Sequence, residues 1–118
     1  MTEAERSWVV RLTAAAEADY QNIIAWTLEQ FGDLQARVYA DTLAATLVAL
    51  TAGPTTVGAK ARSEIGKGLF TLHVERGGRK GRHVVLFRIR LDKRQSWIEV
   101  LRLLHDAMDL KLHTDPQR

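Results

Sequence analysis

The chain has 118 residues, of which 46% are hydrophobic and 26% are charged, and it contains no cysteine. These proportions are ordinary for a soluble globular protein, and we expect residues 1–118 to form a single domain. No apolar run is long enough to predict a membrane-spanning helix, and the N-terminus does not have the pattern of a secretory signal. The lack of cysteine excludes disulfides, thiolate metal ligands and a cysteine nucleophile, and it fits a cytoplasmic protein.

The charges are unevenly distributed. The net charge of +3 combines −4 over residues 1–50 with +7 over residues 51–118. An acidic partner is therefore expected to meet the second half of the chain. The alternative is a solvated basic face without a partner, which composition alone favours.

The first half predicts a strand followed by two helices. Trp8–Leu12 is short, apolar and β-branched, which is typical of a strand. Thr13 is expected to cap a helix of about 18 residues that ends at Gly32. Asp33 is expected to cap a second helix, which Gly53 and Pro54 close. Because the link is so short, the helices must form an antiparallel hairpin. The apolar stripe of the first helix comprises Ala16, Tyr20, Ile23, Ile24, Thr27 and Phe31.

The second half predicts three strands. Residues 55–68 are expected to be irregular, Leu69–Glu75 alternates as a strand does, and Arg76–Gly81 is a basic hairpin loop. The second strand is Arg82–Leu91 and the third is Ser96–Leu104. The apolar residues assigned to one face of these last two strands are Val85, Phe87, Ile89 and Leu91, and Ile98, Val100 and Leu104.

The order of elements predicts an α+β fold, in which an N-terminal strand and a two-helix antiparallel hairpin precede a three-stranded antiparallel meander. The segment Asp106–Leu112 is expected to form one helical turn or a tail. The glycine loop from Gly77 to Gly81 lies between two strands, so it does not match a phosphate-binding loop. The histidines are His73, His83, His105 and His113, and their spacing matches no metal-ligand pattern. We expect neither a metal nor a cofactor.

Three residues suggest acid–base chemistry. Antiparallel pairing of the last two strands brings Arg82 near His105, and Glu64 in the preceding loop could supply a carboxylate. Together they would form a base, a phosphate clamp and an acid for cutting RNA. The alternative, which spacing alone favours, is that Arg82 and His105 are ordinary strand-end residues.

Both ends of the chain resemble one protein superfamily. The segment Leu12–Tyr20, with Ile23, Ile24 and Trp26 after it, is similar to the opening of RelE/ParE-superfamily toxins. Near the C-terminus, Leu104 and His105 are followed two residues later by Met108, Asp109 and Leu110, which resembles the closing signature of ParE-like members. The resemblance covers residues 9–113. It implies a RelE/ParE-like fold and a toxin of a bacterial type II toxin–antitoxin module.

The resemblance also implies partners. A cognate antitoxin protein would neutralise the toxin, and operator DNA would be bound only through that antitoxin. ParE-like members are associated with inhibition of DNA gyrase and with plasmid stabilization, whereas RelE-like members cleave mRNA on the ribosome. A tyrosine that RelE-like nucleases place at the end of the last strand is absent here, because Asp106 follows His105. The ParE-like interpretation is therefore favoured, with no catalytic residue.

Two alternatives remain open, a ribosome-dependent mRNA endonuclease that uses Glu64, Arg82 and His105, and an inactive member that acts only in autoregulation with its antitoxin. For the ParE-like interpretation, we expect the target-binding residues to be Arg79, Lys80, Arg82, His105, Met108, Asp109 and Leu110.

Overall fold

The computed structural model describes residues 7–108 and has an α+β architecture, as predicted. A five-stranded sheet has the order β1-β5-β4-β3-β2, in which β1 is parallel to β5 and every other pair is antiparallel. The elements are β1 (Val9–Leu12), α1 (Ala14–Phe31), α2 (Asp33–Ala49), a 3₁₀ segment (Leu50–Thr55), β2 (Lys60–Ala61), β3 (Leu69–His73), β4 (His83–Leu91) and β5 (Ser96–His105). Within this part of the chain, neither helix is long and apolar enough to cross a membrane.

The predicted helix ends are confirmed for α1. The Thr13 hydroxyl accepts the backbone N–H of Ala16 at 3.1 Å and donates to the carbonyl of Leu101 at 2.9 Å, so one side chain caps the helix and ties it to β5. Gly32 closes α1 with a φ of 89°, a conformation that costs glycine little. The prediction that Asp33 caps α2 is wrong. Asp33 is the first residue of α2, no side chain caps this helix, and its carboxylate pairs with Arg37.

The main core lies between the helical hairpin and one face of the sheet. Its buried residues come from both helices, the 3₁₀ segment, β3 with the residue that follows it, β4 and β5. They are Ala16, Leu43, Leu50, Leu72, Val74, Val85, Phe87, Ile98, Val100 and Leu103. A smaller cluster of Val84, Leu86 and Leu104 lies on the opposite face of the sheet.

A β-bulge in β5 overturns one predicted face. Leu86 lies opposite Arg102 and Phe87 opposite Val100, so the intervening Leu101 has no partner in β4. One extra residue shifts the two-residue alternation of side chains by one position. Leu103 therefore joins the main core, and the prediction that Leu104 shares a face with Ile98 and Val100 is wrong.

Other differences concern the edges of the predicted elements. The segment expected to be irregular contains β2, which pairs with β3. Leu91 and Phe31 belong to the predicted apolar stripes, yet they are 77% and 63% exposed, because each lies at the very end of its strand or helix. The predicted C-terminal turn is present over residues 106–108, and the rest of that segment is outside the described residues.

Candidate functional site

A groove of about 1130 Å³ lies between the helical hairpin, the β3–β4 loop and the end of β5, and it is named here the α–β groove. Five of the predicted target-binding residues line it, although they come from separate segments. They are Arg79, Lys80, Arg82, His105 and Met108. The other two, Asp109 and Leu110, lie outside the described residues. The antiparallel pairing of β4 with β5 brings these segments together, since His83 lies directly opposite His105.

One wall of the groove is apolar and exposed. Trp26 and Phe31 on α1 and Val38 on α2 line it, and these side chains are 56%, 63% and 49% exposed. The Trp26 and Phe31 rings meet edge to face with centroids 5.7 Å apart. Exposed apolar side chains that are contiguous, rather than scattered singly, mark interaction sites.

One rim of the groove is basic and is formed by the β3–β4 loop. Arg79 donates to the Thr42 hydroxyl on α2 at 3.3 Å, which fixes the loop across the groove. Gly81 permits this close approach, because a Cβ at that position would lie 2.6 Å from a methyl of Val74 and 2.7 Å from the ring of Tyr39. The groove thus combines an aromatic wall with a cationic rim.

A polar network reaches the groove through Arg82. The Asp106 carboxylate accepts a hydrogen bond from Nε2 of His73 at 3.0 Å and from Nε of Arg82 at 3.2 Å. The backbone N–H of Glu75 donates to Nδ1 of His73, so the proton of His73 lies on Nε2. These two donors, His73 first, hold the pKa of Asp106 below its ordinary value. Asp106 therefore joins the ends of β3 and β5 and positions Arg82.

The Tyr39 hydroxyl orients His83, one of the two histidines that line the groove. The Tyr39 hydroxyl lies 2.6 Å from Nδ1 of His83 and accepts the backbone N–H of Arg82, so its own hydrogen points at His83. Burial, followed by the nearby His105, lowers the pKa of His83 to about 4. The His83 and His105 rings meet edge-on with centroids 5.4 Å apart. His83 is therefore neutral near neutral pH.

The proposed nuclease residues are only partly brought together. Arg82 and His105 both line the groove. Glu64 is ion-paired with Arg62, which lowers the pKa of Glu64. Within residues 7–108, no hydrogen bond or ion pair joins Glu64 to either of the other two. In the same part of the chain, no group of three or more histidine or carboxylate side chains is arranged to hold a metal ion.

Several residues of the site were not identified from the sequence. Tyr39 and Trp26 lie on helices whose predicted role was packing, and His73 and Asp106 are 33 residues apart. The position of the two histidines could have been predicted from strand register, because pairing of the predicted strands places His83 opposite His105. No comparable signal existed for the aromatic wall.

The chain is similar to known toxins in sequence and in fold. Residues 10–110 match the family described as "ParE toxin of type II toxin-antitoxin system, parDE". A solved structure of a chromosomal ParDE toxin–antitoxin system from P. aeruginosa has a similar fold, with a TM-score of 0.66 and 19% identity, over 84% of this chain and 96% of that one. Among curated proteins, none matches. Since the family match spans most of its length, the chain belongs to the ParE toxin family of type II toxin–antitoxin systems.

Proposed function

We propose that this chain is a cytoplasmic toxin that inhibits DNA gyrase and is neutralised when a cognate antitoxin occupies the α–β groove. The observation that supports this proposal is the pairing of an exposed aromatic wall with a cationic rim in one groove. A gyrase inhibitor needs a complementary surface, and binding energy in such surfaces concentrates in a few aromatic and arginine anchors. Residues 1–118 would act as a single domain, and the module would contribute to plasmid stabilization.

The groove suits an amphipathic acidic segment of the antitoxin. Trp26 and Phe31 would receive its apolar side chains, and Arg79 and Lys80 would face its carboxylates. Such a segment would cover the residues proposed for target contact, among them Arg82, His105 and Met108. Neutralisation would then be direct occlusion, while sequence-specific operator binding would be a property of the antitoxin.

The nuclease alternative receives less support from the geometry. General acid–base cleavage requires an acid and a base within hydrogen-bond reach of one ribose and its phosphate. Glu64 is engaged by Arg62 outside the groove, whereas Arg82 and His105 line it. The gyrase proposal requires no carboxylate base at that position.

Induction of the chain in a bacterial host, with and without the product of the neighbouring gene, tests the proposal. We expect growth arrest that the neighbouring product relieves, loss of negative supercoiling, and no translation-dependent mRNA cleavage. Glu64→Gln should retain toxicity. Its toxicity should equal that of Glu29→Gln, a control substitution of an exposed carboxylate on α1. Cleavage of mRNA that disappears with Glu64→Gln and with His105→Ala, while supercoiling is unaffected, would overturn the gyrase proposal.

A further inference from the structure

Four exposed cations cluster at the end of the sheet that is opposite the α–β groove. Arg90 is close to the end of β4, Lys93 and Arg94 lie in the turn between β4 and β5, and Arg11 lies on β1. These four residues are named here the β4–β5 basic surface. β4 has nine residues, so at about 3.4 Å per residue its two ends are about 27 Å apart. The surface is therefore separate from the groove.

Strand pairing places Arg90 and Arg11 on the sheet face that the helices do not cover, and Lys93 and Arg94 lie in the adjoining turn. Arg90 lies opposite Trp97, and Trp97 lies opposite Val9. Residues directly opposite one another point to the same face, and Arg11, two residues after Val9, shares it. The guanidinium of Arg11 lies 5.0 Å from the centroid of the Trp97 ring. The ring thus holds a cation in place, which is a cation–π contact.

Two carboxylates lie beside these four cations, but neither forms an ion pair with them. Glu99 lies opposite Arg11 in the pairing of β1 with β5. The pKa of Asp92 is lowered by the backbone N–H groups that it accepts and then by the charge of Arg11. Glu99 accepts a hydrogen bond from Nε of Arg88 at 2.7 Å. Asp92 accepts the backbone N–H groups of Arg94 and Gln95 at 2.8 and 2.9 Å, so it shapes the turn. Among the ion pairs formed within residues 7–108, none includes a member of the β4–β5 basic surface. Its positive charge is therefore available to an external anion.

We propose that the β4–β5 basic surface binds the phosphate backbone of duplex DNA without sequence preference. Guanidinium groups match phosphate oxygens in geometry, and several cations spread over a strand face and the adjoining turn suit the regularly spaced phosphates of a duplex. Cations dominate here, whereas the cores of protein–protein interfaces are depleted of charged residues, which argues against an acidic protein. This binding is an activity of the toxin chain itself, and it does not depend on whether gyrase is the target.

Fluorescence anisotropy with the purified full-length chain and a labelled 20-base-pair duplex of arbitrary sequence, titrated at several salt concentrations, tests this inference. With about 0.9 counterions released per phosphate, four contacts predict a slope of log affinity against log salt of about −3.6. The triple variant Arg90→Ala/Lys93→Ala/Arg94→Ala should reduce the slope to about −0.9 and weaken binding at low salt at least tenfold. An unrelated duplex of equal length should bind with the same affinity.

A second triple variant, Arg37→Ala/Lys60→Ala/Lys67→Ala, removes the same charge from exposed positions outside the α–β groove and should keep most of the affinity. Circular dichroism melting of each variant establishes that it is folded. Equal weakening by the two triple variants would overturn the proposal, because net charge rather than location would then explain binding. Binding should be easy to detect at about 50 mM salt, because charges are screened only beyond about 14 Å at that concentration. Absence of binding there would also overturn the proposal. The proposal would also be overturned if unlabelled polyglutamate displaced the labelled duplex as effectively as unlabelled DNA does.

Discussion

Asp19 on α1 and Arg102 on β5 form a two-bond ion pair that closes an open edge of the sheet. Nε and one Nη of Arg102 donate to the two oxygens of Asp19 at 2.7 and 2.9 Å. One of these oxygens also accepts the backbone N–H of Leu103 at 2.9 Å. β1 ends opposite Val100, so Asp19 takes over the role of a strand partner just beyond that point. Both side chains line the α–β groove, and the pair therefore links helix position to groove shape.

Asp19→Asn should destabilise the protein by about 2–3 kcal/mol, because Arg102 and the Leu103 N–H lose a charged acceptor in a partly buried position. The Asp19 side chain is 14% exposed. Urea unfolding of the wild type and the variant measures the change in the free energy of unfolding. Asp33→Asn is the matched control, since its pair with Arg37 is 70–77% exposed and should contribute less than about 0.5 kcal/mol. Equal effects of the two substitutions would contradict the role assigned to Asp19.

His83 should make the protein less stable as the pH falls. Its pKa in the folded protein is about 4, below the ordinary value of 6.5 that we expect on unfolding. The unfolded state therefore binds more protons between these values, and stability is lost as the pH decreases from about 6.5 to 4. Because His83 is only partly buried, we expect about 1–2 kcal/mol, less than the full shift would give.

The variant His83→Gln, which retains an acceptor for Tyr39, isolates this contribution. The free energy of unfolding should depend less on pH between 4.5 and 6.5 in the variant than in the wild type. Urea titrations at four or more pH values in this window provide the comparison. A parallel pH dependence of the two proteins would show that His83 does not carry the effect.

Trp26 should be an anchor for the antitoxin. It is 56% exposed, so Trp26→Ala should change the free energy of unfolding by less than about 1 kcal/mol. Loss of an aromatic anchor at the centre of an interface costs about 2–4 kcal/mol, which corresponds to a reduction in affinity of about thirtyfold to a thousandfold. Calorimetric titration with the product of the neighbouring gene measures the loss. Leu34→Ala, at a 72% exposed position outside the groove, should bind normally.

Gly81→Ala should distort the basic rim. The added methyl would meet Val74 and Tyr39 at 2.6–2.7 Å, and neither side chain has room to withdraw because Val74 is fully buried and Tyr39 is bonded to His83. Overpacking of this kind costs about 1–3 kcal/mol. Lys80→Ala, at the exposed neighbouring position, should leave the thermal midpoint unchanged. A Gly81→Ala variant with the wild-type midpoint would argue against the tight loop contact.

Local chemistry explains which features the sequence could predict. Thr13 and Gly32 act through neighbours in the chain, so the cap and the close of α1 were predictable. The basic rim was also predictable in outline, because antiparallel pairing of β4 with β5 brings Arg82 near His105. These two predictions needed only residue type and strand register.

The remaining features depend on long-range packing. The bulge at Leu101 cannot be read from the sequence, because apolar residues occur on both faces of this strand and the pattern does not show where the alternation shifts. Leu104 was therefore assigned to the wrong face. The parallel pairing of β1 with β5 and the pair Asp19–Arg102 join residues more than 80 positions apart. The periodicity of α1 placed Phe31 in the core, although Phe31 is the last residue of the helix and is 63% exposed. That exposed position is what creates the aromatic wall.

The most direct test of the central proposal is a supercoiling assay with purified DNA gyrase, relaxed plasmid and increasing amounts of the purified chain. Inhibition by the wild type is expected, with at least a tenfold higher inhibitory concentration for the groove variant Arg79→Glu/Lys80→Glu and no change for Lys67→Glu, an exposed lysine outside the groove. Full gyrase activity at every concentration of the wild-type chain, or equal inhibition by the groove variant, would contradict the proposal.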